Sequence, residues 1–147
     1  MNILLYIPPS GRYMREVRCQ APLNKVMIDC NRTPLSLAYI AAVLGNRHIC
    51  KIVDYPASGM SWVEFKKDIN NFKPDMIIAH LTMFSCDEDF ESYKIAKFIN
   101  SNIKTVAFGG ISSDVALLMK KETPLDIYIC QEPEGAFGEI AENKPLD

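Results

Sequence analysis

Residues 61–88 read SWVEFKKDINNFKPDMIIAHLTMFSCDE, and the order of signals in this stretch decides the fold. Ser61-Trp62-Val63-Glu64 has the form of a capping box, in which a serine hydroxyl and a glutamate carboxylate satisfy the free amides at a helix start. The next segment, Trp62–Phe72, has helical length and period. Pro74-Asp75 then introduces Met76-Ile77-Ile78-Ala79, a short apolar run with no polar alternation. Such a run suits a strand covered on both faces, as strands of parallel sheets are. Ser85-Cys86-Asp87-Glu88 repeats the S-x-x-E pattern and opens a second helical segment, Asp87–Asn100.

The same alternation extends in both directions. Further strand-like runs are Ile3–Ile7, Ile49–Val53, Thr105–Phe108 and Ile127–Cys130. Helical segments are expected at Pro34–Leu44, Asp114–Lys121 and Pro133–Asn143. Thr33 is placed to cap the first, with Pro34 at its first helical position, and Gly45-Asn46 to stop it. Ser113-Asp114 can cap the helix after the fourth strand. Strands alternating with helices imply a parallel sheet with helices on both faces. Lys51 within Ile49–Val53 suits an edge strand, whereas the first, third and fourth runs are uninterrupted. The expected fold is therefore α/β and flavodoxin-like (Rossmann-like), a five-stranded parallel sheet of order 2-1-3-4-5. Ligands of such sheets bind beyond the carboxyl ends of the strands, near the switch point between strands one and three.

Composition is that of a globular domain. Of 147 residues 48% are apolar, 23% charged and 10% aromatic, with Gly 7 and Pro 9. A chain of this length buries roughly 68–70% of its unfolded surface and needs neither disulfides nor a structural metal to fold. The net charge of -2 gives no basic field for nucleic acid or an anionic membrane, so neither partner is expected. No apolar run approaches a membrane span, and Ile3–Ile7 is too short for a signal segment. Five cysteines without a C-x-x-C pair argue against a disulfide framework and a zinc site, and a cytoplasmic location is expected. Cys19 and Cys30 share one loop and could pair only under oxidation.

One connection is unusual. Pro8 to Thr33 joins the first strand to the first helix without clear periodicity, far beyond the usual βα loop of about 2–6 residues. It reads either as a surface loop or as a binding loop at the ligand edge. The residues at the strand ends exclude several chemistries of this fold. Pro8-Pro9 and His80-Leu81 stand where a phosphorelay receiver needs acidic residues. Pro8-Pro9-Ser10-Gly11-Arg12 is neither a dinucleotide G-x-G-x-x-G nor a flavin-phosphate loop rich in Ser and Thr. The remaining candidates form a distributed set: His80-Leu81-Thr82-Met83-Phe84-Ser85 after the third strand and Gly109-Gly110-Ile111-Ser112-Ser113 after the fourth. The two glycines serve either a tight strand-to-helix turn or a ligand brought close to the backbone.

Three stretches together resemble the N-terminal cobalamin-binding domain of cobalamin-dependent radical SAM enzymes. They are the strand ending in Pro8-Pro9 with its long loop and the helix Pro34-Leu35-Ser36-Leu37-Ala38-Tyr39-Ile40-Ala41-Ala42-Val43-Leu44; the strand ending in Gly109-Gly110; and Gln131-Glu132-Pro133-Glu134 after the fifth strand. The resemblance spans nearly the whole chain, to about Asn143. It implies a single domain over residues 1–147, with a long loop at 8–33 between the first strand and the first helix, and the start of a linker at 143–147. It implies cobalamin as cofactor, with Thr82 and Ser85 against its nucleotide tail, Gly109 and Gly110 along the tail's path, and Glu132 and Glu134 flanking the site. Met83 and Phe84 could line an apolar slot, although Phe84 also suits core packing.

The chain also departs from related patterns. D-x-H-x-x-G after the first strand is absent, so histidine ligation of cobalt in that manner is not available. The lower cobalt face would be open, water-bound, or met by Arg12, Tyr13 or Asn24. No C-x-x-x-C-x-x-C occurs, so the iron-sulfur cluster and SAM would belong to a radical SAM core in cis or trans. The isolated chain is then expected to catalyse nothing itself, while the enzyme it serves performs methyl transfer or related radical chemistry. Gln131, Pro133 and Ile111-Ser112 replace commoner residues of the family's motifs, which leaves a cofactor-free docking or scaffold domain as the alternative.

The remaining reactive side chains have quieter readings. Cys86 at a helix start could have a lowered thiol pKa or be structural, and Cys50 and Cys130 belong to the core. His48 is expected in solvent and His80 in the pocket. Asp87, Glu88, Asp89 and Glu91 form a solvated, dipole-compatible face, with metal binding the lesser alternative. Trp62 packs as a staple.

Overall fold

The computed structural model describes residues 1–9, 13–14, 21–22, 33–82, 85–109, 121, 123–130 and 133–142. Five strands, β1 (Asn2–Ile7), β4 (Ile49–Asp54), β5 (Met76–Leu81), β6 (Lys104–Gly109) and β7 (Ile127–Ile129), form one sheet in the order β4-β1-β5-β6-β7. All neighbours are parallel. Counting these strands along the chain, the order is the 2-1-3-4-5 read from the sequence. Two short strands, β2 (Tyr13–Met14) and β3 (Ala21–Pro22), pair antiparallel within the connection from β1 to the first helix, a ladder that its lack of periodicity concealed.

The helices are α1 (Leu35–Leu44), α2 (Trp62–Phe72), α3 (Cys86–Ile99) and α4 (Pro133–Ala141). Alternation along β1 separates two cores. Leu4 and Tyr6 join Phe65 and Ile69 of α2 and Phe90, Tyr93 and Ala96 of α3. Ile3, Leu5 and Ile7 point the other way, to Leu37, Ile40 and Leu44 of α1 and Phe137 and Ile140 of α4. β1 and β5 are thus buried on both faces, which explains why their sequences lack polar alternation. The expected helix over 114–121 lies outside the described residues except for Lys121.

Local signals are kept unevenly. Ser61 and Glu64 form the full capping box of α2, and Trp62 lies edge-on to Phe65 at 5.9 Å. Thr33 does not cap α1. Its carbonyl accepts from the Leu35 amide at 2.8 Å, the helix starts one residue later, and Pro34 is the N-cap without a side-chain bond. Gly45 does end α1, its amide donating to the Ala41 carbonyl at 2.7 Å. Lys51 lies on edge strand β4, as expected, and reaches Asp68 at 2.6 Å; Asp68 also accepts from the Tyr55 hydroxyl at 2.8 Å. Burial, then Asp68, pushes that phenol well above its usual range.

At the opposite end of the sheet Asp126 accepts from the Lys97 ammonium at 2.7 Å, the Thr105 amide at 2.8 Å and the Thr105 hydroxyl at 3.1 Å. Partial burial opposes ionisation, but these donors outweigh it and hold the carboxyl below its usual range. A depressed folded-state pKa contributes stability above the unfolded value, and the contribution is lost as pH falls through the folded one. Asp126→Ala should therefore cost about 1 kcal/mol at neutral pH, after discounting for solvent exposure. The gap in urea midpoint between the two proteins should narrow with acidification below the ordinary carboxylate range. A gap that widens in acid would reject this role.

Candidate functional site

A parallel sheet presents all its carboxyl ends on one edge, and here Ile7, Leu81, Gly109 and Ile129 mark it. β1 and β5 are neighbours on which the chain reverses direction: α1 covers one face of the sheet and α2 the other. The crevice of a doubly wound sheet lies at this reversal.

The turn from β5 into α3 is tied down by a buried acid. Asp89, in the first turns of α3, has no solvent exposure. Its carboxylate accepts from the Ser85 hydroxyl at 2.9 Å and lies 3.4 Å from the Thr82 amide. Its carbonyl accepts from the Ser92 hydroxyl at 2.5 Å, and that oxygen lies 2.7 Å from the Tyr6 hydroxyl of β1. Tyr6 in turn packs on Phe65 and Tyr55. A polar chain inside the core therefore couples the end of β5 to β1.

Ser85 is the N-cap of α3, but it makes no side-chain cap bond, because its hydroxyl is committed to Asp89. The second expected capping box is thus replaced by an inward contact. The reading of the acidic run as solvated holds for Asp87, Glu88 and Glu91, which are exposed, and is corrected for Asp89. Its position was legible in principle: Asp89, Ser92, Tyr93 and Ala96 form one stripe at helical spacing, so this acid falls on the core side.

Of the expected site residues, Thr82, Ser85 and Gly109 come together at this edge. Thr82 and Ser85 are both closed to solvent. Gly109 pairs with Leu81 and has φ +148°, and a Cβ there would lie 2.3 Å from the Leu81 carbonyl oxygen. Strand packing alone requires this glycine. Its carbonyl accepts from the Tyr128 hydroxyl at 2.8 Å. Gly110, Glu132, Met83, Phe84, Arg12 and Asn24 lie outside the described residues, as do the side chains of Glu134 and Tyr13.

His80 is buried one strand residue before the edge, stacked on Phe108 at 4.7 Å and 3.5 Å from the Ser36 hydroxyl of α1. His48 is half-buried beside the N-terminal ammonium. Burial, that charge and Arg47 lower its pKa. Burial and then Asp87 push the Cys86 thiol above its usual range, opposite to the lowering expected at a helix start. Burial likewise raises Cys50, which packs against the α1-side core. Cys130 is exposed just past β7, because that strand ends one residue short of the expected boundary.

Among the described residues no group of three or more His, Cys, Asp or Glu could hold a metal, and no helix is long and apolar enough to cross a membrane. A cavity of about 430 Å³ lies between α2 and α3, lined by Lys66, Asn70, Glu91, Ile95 and Phe98 among others. It belongs to the helix layer, away from the strand ends.

No protein-family profile matches the chain. It is similar to an uncharacterized methyltransferase of Pyrococcus horikoshii, PH0819, with 29% identity over 143 residues. The match covers 97% of this chain and 29% of that protein, so the chain spans less than a third of its relative. Among solved structures, a pilus assembly-related protein of Burkholderia pseudomallei superposes with a TM-score of 0.56 at 12% identity, covering 99% of this chain and 92% of that one. That likeness concerns the α/β fold.

The packing at Gly109 and the raised thiols can each be tested. Gly109→Ala should destabilise by about 2–4 kcal/mol, since a side chain must displace backbone in an unfavourable φ region; an unchanged urea midpoint would refute the packing. Iodoacetamide at pH 7.5, followed by peptide mapping, should label Cys130 well before Cys86 or Cys50. Faster labelling of Cys86 would mean an activated thiol after all.

Proposed function

We propose that this chain is a cobalamin-binding module of a larger methyltransferase-type enzyme whose chemistry is carried out by a separate radical SAM core. The observation that carries the reading is the match to a methyltransferase along 97% of this chain but only 29% of the relative, the pattern of a module within a longer enzyme. The cofactor assignment rests on the resemblance in Pro34–Leu44, Gly109-Gly110 and the loop after β7. The long β1–α1 connection at the switch point supports it, since ligands of this fold gather there. A cytoplasmic location belongs to the same reading.

The described residues expected at the cofactor do not offer it direct contacts. Thr82 and Ser85 are closed to solvent, and the Ser85 hydroxyl serves Asp89, so direct tail contact by these hydroxyls does not fit the turn as it stands. They form instead a fixed wall behind the crevice. When bound, a corrinoid would supply the alkyl-carrying metal; this chain's residues would position it and exclude water. That Thr82, Ser85 and Gly109 are each explained by internal packing also favours a second reading, a cofactor-free docking domain.

Incubation with hydroxocobalamin followed by desalting separates the two. The module should retain close to one equivalent of corrinoid, visible in its absorbance spectrum. Loss of all visible absorbance would leave the docking domain.

A further inference from the structure

Helix α1 reads LSLAYIAAVL, ten residues without a charge. Leu37, Ile40 and Leu44 are buried beneath it, yet Leu35, Tyr39 and Val43 are 56%, 63% and 46% exposed on its outer side. Their i, i+4, i+8 spacing makes one stripe. Ile52, on the α1 face of edge strand β4, adds a further exposed side chain at 41%. α2 and α3 differ in being charged: their outer positions carry Glu64, Lys66, Lys67, Asp87, Glu88, Glu91 and Lys94, among which Val63 and Phe98 are isolated exposed apolar residues rather than a stripe. A helix that is apolar all round is one that is covered on all sides.

We infer that the outer face of α1, continued onto Ile52, is the seat of a further domain of the same polypeptide. The exposed fractions amount to roughly 400 Å² of apolar side chain. Counted over both sides that is about 800 Å², half of the roughly 1,600 Å² of a free-standing protein complex but within the roughly 600–1,500 Å² of interfaces between domains of one chain. A tether raises the effective concentration to about the millimolar range, so a small face suffices. A second copy of this chain gains no such help. The match to the relative leaves most of that protein's length outside the region shared with this chain, which supplies chain for such an occupant.

The position of the face also has a use. Ser36, beside Leu35 in the first turn of α1, lies 3.5 Å from His80 near the end of β5. A domain seated on α1 therefore stands at the rim of the strand-end crevice. The inference rests on the chain being one module of a larger enzyme, but not on which cofactor it holds.

The test uses the protein produced from its complete gene, with Tyr39→p-benzoylphenylalanine and, as a control on α2, Val63→p-benzoylphenylalanine. Irradiation and peptide mapping should join position 39 to residues of the same polypeptide outside 1–147, at least tenfold above the control. Four results would overturn the proposal: adducts to a second copy, to residues 10–32, or to a separate polypeptide, or a yield no greater than at position 63. A gene that encodes only this chain would overturn it too. Corrinoid retention measured on the same preparation keeps the outcomes apart, since loss of corrinoid with the adduct intact refutes only the cofactor reading.

Discussion

A carboxylate without solvent exposure, Asp89, governs the shape of the edge where this fold meets its ligands. An acid in such a place is tolerated only when hydrogen-bonded, because desolvating it otherwise costs several kcal/mol. Its bonds to Ser85 and its approach to the Thr82 amide fix the β5–α3 turn, and the Ser92–Tyr6 link carries that constraint into β1. Both strands that border the switch point are thus set by one polar network. Gly109 adds a steric constraint from the other side, pressed against the Leu81 carbonyl. The described part of the strand-end edge is held by contacts within the protein.

The fold was legible because its signals are local and repeated. Unbroken apolar runs at β1, β5 and β6 mark strands buried on both faces, Lys51 marks an edge, and the Ser61 box marks the start of α2. The site was less legible because its decisive contacts join residues far apart or choose between equally good local options. Ser85 could cap its helix or bind Asp89, and the sequence pattern S-x-x-E favoured the cap. Asp89 was hidden among three neighbouring acids that do face solvent. Thr33 lost its expected capping role because α1 begins one residue later, with Pro34 as its N-cap. The glycine at 109 could be read as serving a ligand, whereas the Leu81↔Gly109 register supplies a packing reason that only the paired strands reveal.

The two helix layers differ in a way that bears on assembly. α2 and α3 carry most of the outward charges and meet around a groove, with Phe98 and Val63 as isolated exposed apolar residues. α1 presents leucine, tyrosine and valine, and its first turn stands beside His80 at the ligand edge. A surface so divided fits a domain that is covered on one side and open to solvent on the other. The methyltransferase relative, of which the chain spans 29%, is consistent with that division.

We propose that ligands bind at the strand-end edge rather than in the cavity between α2 and α3. Amide chemical-shift mapping during a hydroxocobalamin titration of the isotope-labelled chain addresses it directly. The largest shifts are expected at Ile7, Thr82, Ser85, Cys86 and Gly109. Shifts concentrated at Lys66, Asn70, Ile95 and Phe98 would contradict it.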